Sequence, residues 1–351
     1  MIVDLPTSVY ICHVCDHAQS PDLPDLQRFY DSEYRISLGS DDHDQLYAVE
    51  NGKPVYRTDK QAQIALDLLN LPTGSRILDY GAAKAATLRK IKAARPDLEV
   101  YVFDVSDAYR PAWRGWLDEG HTSTHYVPEE WSSSFDAVTA HFVIEHIADP
   151  RHAIATMVGL LKPGGKLLVS APDPLANSGD LIVVDHINHF SARSLHELLT
   201  DTGACVDHIS KDVLSSALVA IAVKQIGPGI PEPAPGDAHD LSEQCKNWTV
   251  ARQKIAEHGA SVGSQKTAIY GAGFYGALIY SVVRGRLSPV CFLDNNTHIQ
   301  GTLHFGLPVL APSALPEDVS TLFVGLNPAH AKSIFKVINM PGKETLDLIF
   351  I

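Results

Sequence analysis

The chain has 351 residues, a formal net charge of −13 and 45% apolar residues, enough for two or three domains that each bury a core. The acidic balance argues against a nucleic-acid partner, because nonspecific phosphate binding needs a basic face. Apolar runs such as residues 217–223 are far too short to span a bilayer, and residues 1–6 lack the basic-then-apolar order of a secretory signal. Five scattered cysteines make no disulfide framework, so a cytoplasmic protein with reduced thiols is expected.

Residues 1–45 are irregular and rich in Asp, Pro and Tyr. Cys12-His13-Val14-Cys15 resembles one knuckle of a zinc ribbon, but structural zinc wants four ligands, usually from two such pairs. There is no second Cys-x-x-Cys, and His13 and His17 would complete a site only with awkward local geometry. The expectation is no metal, with both thiols in a vestigial lobe. Apolar residues at helical spacing (Ala62, Ile64, Ala65, Leu68, Leu69) predict a helix over 58–69.

An apolar strand, Arg76-Ile77-Leu78-Asp79, then meets a small-residue turn, Tyr80-Gly81-Ala82-Ala83-Lys84-Ala85-Ala86. A helix follows over 87–94, and a second strand over 99–103 ends on Asp104. Alternation of strand and helix continues to about Asp173, as a parallel α/β sheet requires. In such sheets ligands bind at the carboxyl ends of the strands, where the strand order reverses. The small turn allows close approach, and Asp104 can accept bonds from two vicinal ribose hydroxyls, so a nucleoside cofactor is expected. Farther on come Phe135-Asp136-Ala137-Val138, Glu145-His146-Ile147-Ala148-Asp149-Pro150 and Leu160-Leu161-Lys162-Pro163-Gly164-Gly165. After a long connection, Ser191 is placed to cap a helix ending near Gly203, and residues 206–209 and 217–223 read as a final antiparallel pair.

In this order the motifs resemble the class I S-adenosylmethionine-dependent methyltransferases over roughly residues 60–225. The resemblance implies a Rossmann-like α/β domain over 46–225 that binds S-adenosylmethionine. Asp79 orders the first loop, Gly81, Ala82 and Ala83 flank the methionine part, Asp104 and Val105 hold the ribose end, and Ala140 lines the cofactor edge. The family usually has glycine where this chain has Ala83 and Ala85, and alanine does not take a positive φ freely.

Asp185-His186-Ile187-Asn188-His189-Phe190-Ser191 is the richest polar cluster and should lie near the carboxyl edge of the sheet. Methyl transfer from a sulfonium needs alignment and, for a hydroxyl or carbon acid, a base; histidine suits that near neutral pH. The sugar C-methyltransferases, which the chain also resembles in its domain order, carry Tyr-x-Glu-His at this point. Here the pattern falls on Val183, Asp185 and His186. This implies His186 as base with Asp185 as partner, and the missing tyrosine leaves a sugar hydroxyl open as acceptor. His141 and His189 complete the candidate catalytic set, with the structural reading favoured for His189. Glu145 and His146, read as part of the helix after the fourth strand, rank second. In that family an aromatic segment before the methyltransferase domain lies over the active site, which would be Tyr30 and Tyr34; packing onto the sheet is the plainer reading for each.

Residues 226–240 form a Pro/Gly linker. A helical stretch over 241–258 leads into a second, smaller Rossmann-like α/β domain over 241–351. There the strand 266–270 is followed by Gly271-Ala272-Gly273-Phe274-Tyr275-Gly276, a helix, and a strand ending on Asp294. This is the dinucleotide fingerprint in its proper context. Two readings stay open: a bound nucleotide or nucleotide sugar with its phosphates on the helix N-terminus, or glycines that only shape the turn and pack helix on sheet. The segment also resembles the small Rossmann-like domains of sugar-modifying enzymes in surface-glycan synthesis.

Together these readings predict a methyltransferase acting on a sugar nucleotide or glycan precursor held between the two domains. Its rivals are an NAD(P)-linked sugar-modifying protein using the second glycine loop, and a non-catalytic sugar-nucleotide-binding scaffold.

Overall fold

The computed structural model describes residues 8–22, 44, 46–50, 53–225, 238–263 and 265–351. Tyr30, Tyr34 and most of the expected linker lie outside the described residues. The chain divides into two units, Ser8–Leu241 and Ser242–Ile351.

The first unit begins with β1 (Tyr10–Ile11), β2 (Ala18–Gln19), β3 (Leu46–Glu50) and β4 (Lys53–Tyr56). There follow α1 (Arg57–Leu69), β5 (Arg76–Tyr80), α2 (Ala86–Ala94), β6 (Glu99–Asp104), α3 (Arg110–Trp113), β7 (Thr122–Thr124) and β8 (Phe135–His141). The unit continues with α4 (Pro150–Leu160), β9 (Leu161–Pro172), β10 (Asn188–His189), α5 (Ala192–Asp201), β11 (Ala204–Ser210) and β12 (Ala217–Lys224). Seven strands make one sheet in the order β11-β12-β9-β8-β5-β6-β7. Strand β12 is antiparallel to both neighbours, whereas the pairs from β9 to β7 are parallel.

Parallel strands covered on both faces must be apolar throughout, and Ile77, Leu78, Val102, Ala137, Val138, Leu167 and Leu168 are fully buried. Chain order reverses at β5, with β6 on one side and β8 on the other. The carboxyl ends of these strands therefore open the crevice that a ligand uses. The predicted cap holds: Ser191 Oγ accepts from the Ser194 amide at the start of α5.

Two expectations change. Glu145 and His146 belong to a short 3-10 turn, Ile144–His146, not to the following helix. Pro150 opens α4 and the Asp149 side chain caps it, because proline fits a first-turn position where no amide hydrogen is needed. Residues 8–22, expected within a lobe of their own, are tied to the segment after β9: β2 pairs with both β1 and β10 in a small three-stranded sheet.

The second unit contains α6 (Ala238–Ser261), β13 (Lys266–Tyr270), α7 (Phe274–Val283), β14 (Phe292–Leu293), β15 (Leu303–His304), β16 (Leu307–Leu310), β17 (Val319–Val324), α8 (Ala331–Lys336) and β18 (Asp347–Phe350). Its sheet runs β15-β16-β14-β13-β17-β18, all parallel except β15. Chain order reverses at β13, so this unit repeats the crevice-forming plan on a smaller scale.

Candidate functional site

At the end of β5 the chain turns through Gly81 (φ +75°), Ala83 (φ +46°) and Ala85 (φ +55°). The two alanines occupy the left-handed region despite their Cβ, at roughly 1–2 kcal/mol each. Their surroundings fix them there. The Ala83 amide donates to Asp104 Oδ2 (2.8 Å), and the Ala83 carbonyl accepts from the Trp113 indole (2.8 Å). The Ala85 amide donates to the Ala82 carbonyl (2.7 Å), and Ala85 leads into α2. Gly81 answers a different demand, since a Cβ there would lie 2.5 Å from Val143 Cγ2. The loop thus keeps a tight backbone shape without the usual glycines. Trp113 was not foreseen, because nothing in its spacing marks it as a clamp.

Asp104 is buried, with Oδ2 bonded to Ala83 and Oδ1 accepting from the Ser106 amide at 3.0 Å. Burial raises its carboxyl, partly offset by the amides of Ala83, Ser106 and Val105. A carboxylate has about four acceptor sites, so beside these amides it keeps capacity for a ribose hydroxyl. Val105 beside it is 64% exposed, an apolar surface available to a base. Ala82 is mostly buried and donates to the Phe103 carbonyl (3.0 Å), while the Ala140 side chain lies wholly in the core, leaving only its backbone for a ligand. Asp79 accepts from Thr139 Oγ1 at 2.8 Å. Burial, together with the nearby Asp104 charge, pushes the Asp79 carboxyl up to about 7. A narrow glycine turn, a clamped loop and a diol acceptor fit the amino-acid and ribose parts of S-adenosylmethionine.

The second half of the site hangs from the turn after β8. His141 Nδ1 lies 3.1 Å from Ser170 Oγ, its Nε2 is buried without a hydrogen-bond partner among the described residues, and burial followed by the Arg57 charge lowers the ring to about 4. The segment carrying the expected catalytic residues docks on this turn. The Ile187 amide donates to the Glu145 carbonyl (2.9 Å), and the Asn188 side chain donates to the carbonyls of Ile144 (3.2 Å) and Ile147 (2.7 Å).

The expected pairing of His186 with Asp185 is replaced. His186 Nδ1 bonds Asp180 Oδ1 at 2.5 Å, because the 3-10 turn Ser178–Ile182 brings Asp180 beneath the ring. Asp185 serves His146 instead: His146 Nδ1 donates to the Asp185 carbonyl (3.0 Å) and lies 3.2 Å from its carboxylate. Burial alone would lower His146, but the Asp185 and Glu145 carboxylates outweigh it and hold the ring up to about 9. Burial raises Glu145, and both its carboxylate oxygens lack a hydrogen-bond partner among the described residues. Burial would also raise Asp180, yet His186 and His189 hold it down at about 2.

His189, named in the candidate catalytic set, takes the structural role favoured for it from the sequence. It is fully buried, with Nδ1 on Asp180 Oδ2 (2.7 Å) and Nε2 on Ser20 Oγ (2.9 Å). Both nitrogens are spent, so it holds the segment and does not meet a substrate. Asp180, the shared carboxylate, was not among the expected residues; its only sequence signal is an acid within a long connection.

Ligand atoms of Glu145, His146 and His186 fall within 4.8 Å of one another, close enough for one small cation. With His146 held protonated by two carboxylates, the trio reads as a charge-paired cluster. Around Cys12 and Cys15 no third His, Cys, Asp or Glu ligand atom gathers among the described residues. His17 packs on Phe190 and bonds Asn188 Oδ1 (3.1 Å).

In the second unit, a Cβ on Gly271 would lie 2.4 Å from the Gly325 carbonyl oxygen, and one on Gly276 would lie 1.8 Å from the Gly271 carbonyl oxygen. Close backbone packing alone accounts for these two glycines. Gly273 faces open space, and packing does not explain it. Asp294 accepts from the amides of Ala272 (2.8 Å) and Asn296 (2.8 Å).

Residues 56–209 match the family model described as a methyltransferase domain. The chain is 34% identical over 106 residues to a ubiquinone biosynthesis O-methyltransferase of Xanthomonas axonopodis pv. citri, covering 28% of this chain and 44% of that protein. It is 28% identical over 171 residues to an O-methyltransferase of Pyrenophora dematioidea, covering 43% of this chain and 63% of that one. The chain spans about half the length of the curated relatives it matches. A solved S-adenosylmethionine-dependent methyltransferase from Mesorhizobium loti superposes with a TM-score of 0.38 at 15% identity, over 47% of this chain and 99% of that one. The first unit thus carries a class I methyltransferase domain, with S-adenosylmethionine as its cofactor. Among the described residues, no helix is long and apolar enough to cross a membrane.

Proposed function

We propose that the chain as a whole transfers a methyl group to a sugar nucleotide or related glycan precursor, at a hydroxyl, with His186 as the base. The cofactor supplies an electrophilic methyl group when bound. Gly81, Ala83 and Asp104 hold it, and Val105 offers an apolar surface to its base. His186 takes the proton of the acceptor at Nε2. The observation that carries this reading is the Asp180–His186 pair on the segment docked to the turn after β8: a carboxylate fixes one ring nitrogen, leaving the other for proton transfer. Carbon acceptors are disfavoured because Val183 stands where the sugar C-methyltransferases carry tyrosine. The sugar part of the proposal is supported by the domain order alone.

Calorimetric titration with S-adenosylhomocysteine, with NAD(H) in parallel, tests the first step. Micromolar binding of the first alone supports the reading, whereas binding of NAD(H) alone moves the active site to residues 271–276. Release of S-adenosylhomocysteine with a panel of nucleoside-diphosphate sugars tests the acceptor. His186→Ala should keep cofactor affinity and lose turnover by about 10²-fold or more; normal turnover in that variant rules out His186 as base.

A further inference from the structure

Asp180 is 2% exposed and serves two rings at once, accepting from His186 Nδ1 through Oδ1 (2.5 Å) and from His189 Nδ1 through Oδ2 (2.7 Å). An ionised carboxylate only accepts hydrogen bonds, so both histidines turn an Nδ1–H toward it. Each neutral ring then carries its lone pair on Nε2. At His189, fully buried, that lone pair accepts from the Ser20 hydroxyl at 2.9 Å. At His186, whose side chain is 18% exposed, no hydrogen bond to Nε2 is found among the described residues. Ser20 is anchored in turn: its amide donates to the Ile187 carbonyl (2.9 Å), and β2 pairs with β10 through Ala18 opposite His189.

We infer that Ser20, His189 and Asp180 are positioning residues that lock His186 in its Nδ1–H tautomer, making the β1–β2 hairpin part of the catalytic apparatus. A carboxylate held by one ring alone can rotate about its χ angles; one bonded through both oxygens to two rings, one of them buried and anchored from the far side, cannot. The inference rests on His186 as the base. When His186 Nε2 takes the acceptor proton, its Nδ1–H stays in place. The new positive charge is paired with Asp180, which remains ionised. The other charged or titratable groups facing this ring are His146, packed edge-on at 4.7 Å between ring centroids, and the carboxylates of Glu145 and Asp185.

Two-bond proton–nitrogen NMR of the full chain labelled with ¹⁵N-histidine reads the tautomers without any acceptor. His186 and His189 in the unaltered protein should both show a protonated Nδ1 and a lone-pair-bearing Nε2. Asp180→Asn offers one acceptor oxygen in place of two, so one ring must invert; His186 should lose its fixed tautomer, while S-adenosylhomocysteine affinity stays unchanged. An Nε2–H tautomer at His186 in the unaltered protein, or an unshifted His186 in folded Asp180→Asn, overturns the inference. Should Asp180→Asn fail to fold, Ser20→Ala on the half-buried hairpin carries the test: faster solvent exchange of the His186 Nδ1–H, from a carboxylate held less firmly, supports it, and unchanged exchange excludes the hairpin from the apparatus. With a turned-over acceptor in hand, kcat in Asp180→Asn should fall about 10²-fold or more at unchanged cofactor KM, and Asp180→Glu should recover part of it. Tautomers test the positioning, and His186→Ala turnover tests the base, so the two failures are read separately.

Discussion

The two α/β units place one acid in the same arrangement and support it by different means. Asp104 accepts from the loop amide of Ala83 (2.8 Å) and from the amide two residues on, Ser106 (3.0 Å); Asp294 accepts from Ala272 (2.8 Å) and from Asn296 (2.8 Å). Such a carboxylate belongs to the switch-point plan itself, where a loop and the end of the next strand meet, and so it does not by itself mark a bound nucleoside. The units diverge in what their small residues are for. In the second, Gly271, Gly276 and Gly325 are demanded by backbone packed against backbone. In the first, Ala83 and Ala85 hold left-handed conformations, Ala83 fixed by Trp113 and Asp104 and Ala85 by its bond to the Ala82 carbonyl. Only the first unit, among the described residues, adds a buried cluster of histidines and carboxylates at its carboxyl edge.

The largest expected effect breaks the second unit. Gly276→Ala places a Cβ 1.8 Å from a carbonyl oxygen, which the backbone must move to accept, at about 3 kcal/mol or more. Thermal unfolding should show the loss, with S-adenosylhomocysteine affinity unchanged. Next, Asp104→Ala should weaken S-adenosylhomocysteine binding by about 2–4 kcal/mol, from lost charged hydrogen bonds and an orphaned Ala83 amide; calorimetry should find no such change in Asp294→Ala. Equal losses in both variants would end the distinction between the units.

A pH series separates the units a third way. His146 is raised from 6.5 to about 9 in the folded state, so its contribution is complete below about pH 6.5 and is lost as pH rises through about 9. Stability of the first unit, followed by chemical denaturation, should decline across that window, and His146→Gln should flatten the decline. The smallest effect concerns strain: Ala85→Gly should stabilise the first unit by about 0.5–1 kcal/mol, because glycine accepts φ +55° without the Cβ penalty and gives back part of the gain as unfolded-chain entropy.

The sequence by itself determined the alternation of strands and helices, Asp104 at the end of β6 and the Ser191 cap, since apolar periodicity, small-residue turns and capping residues are local signals. It also marked 185–191 as the polar segment beside the site. Which carboxylate meets which histidine was decided by the tertiary structure alone. Asp185 adjoins His186 in sequence yet pairs with His146, while Asp180, six residues away, reaches His186 because a 3-10 turn folds it back. Ser20 meets His189 across 169 residues of chain. Neighbouring side chains on an extended segment point to opposite faces, so adjacency in sequence does not predict a hydrogen bond, and long-range pairs leave no periodic trace to read.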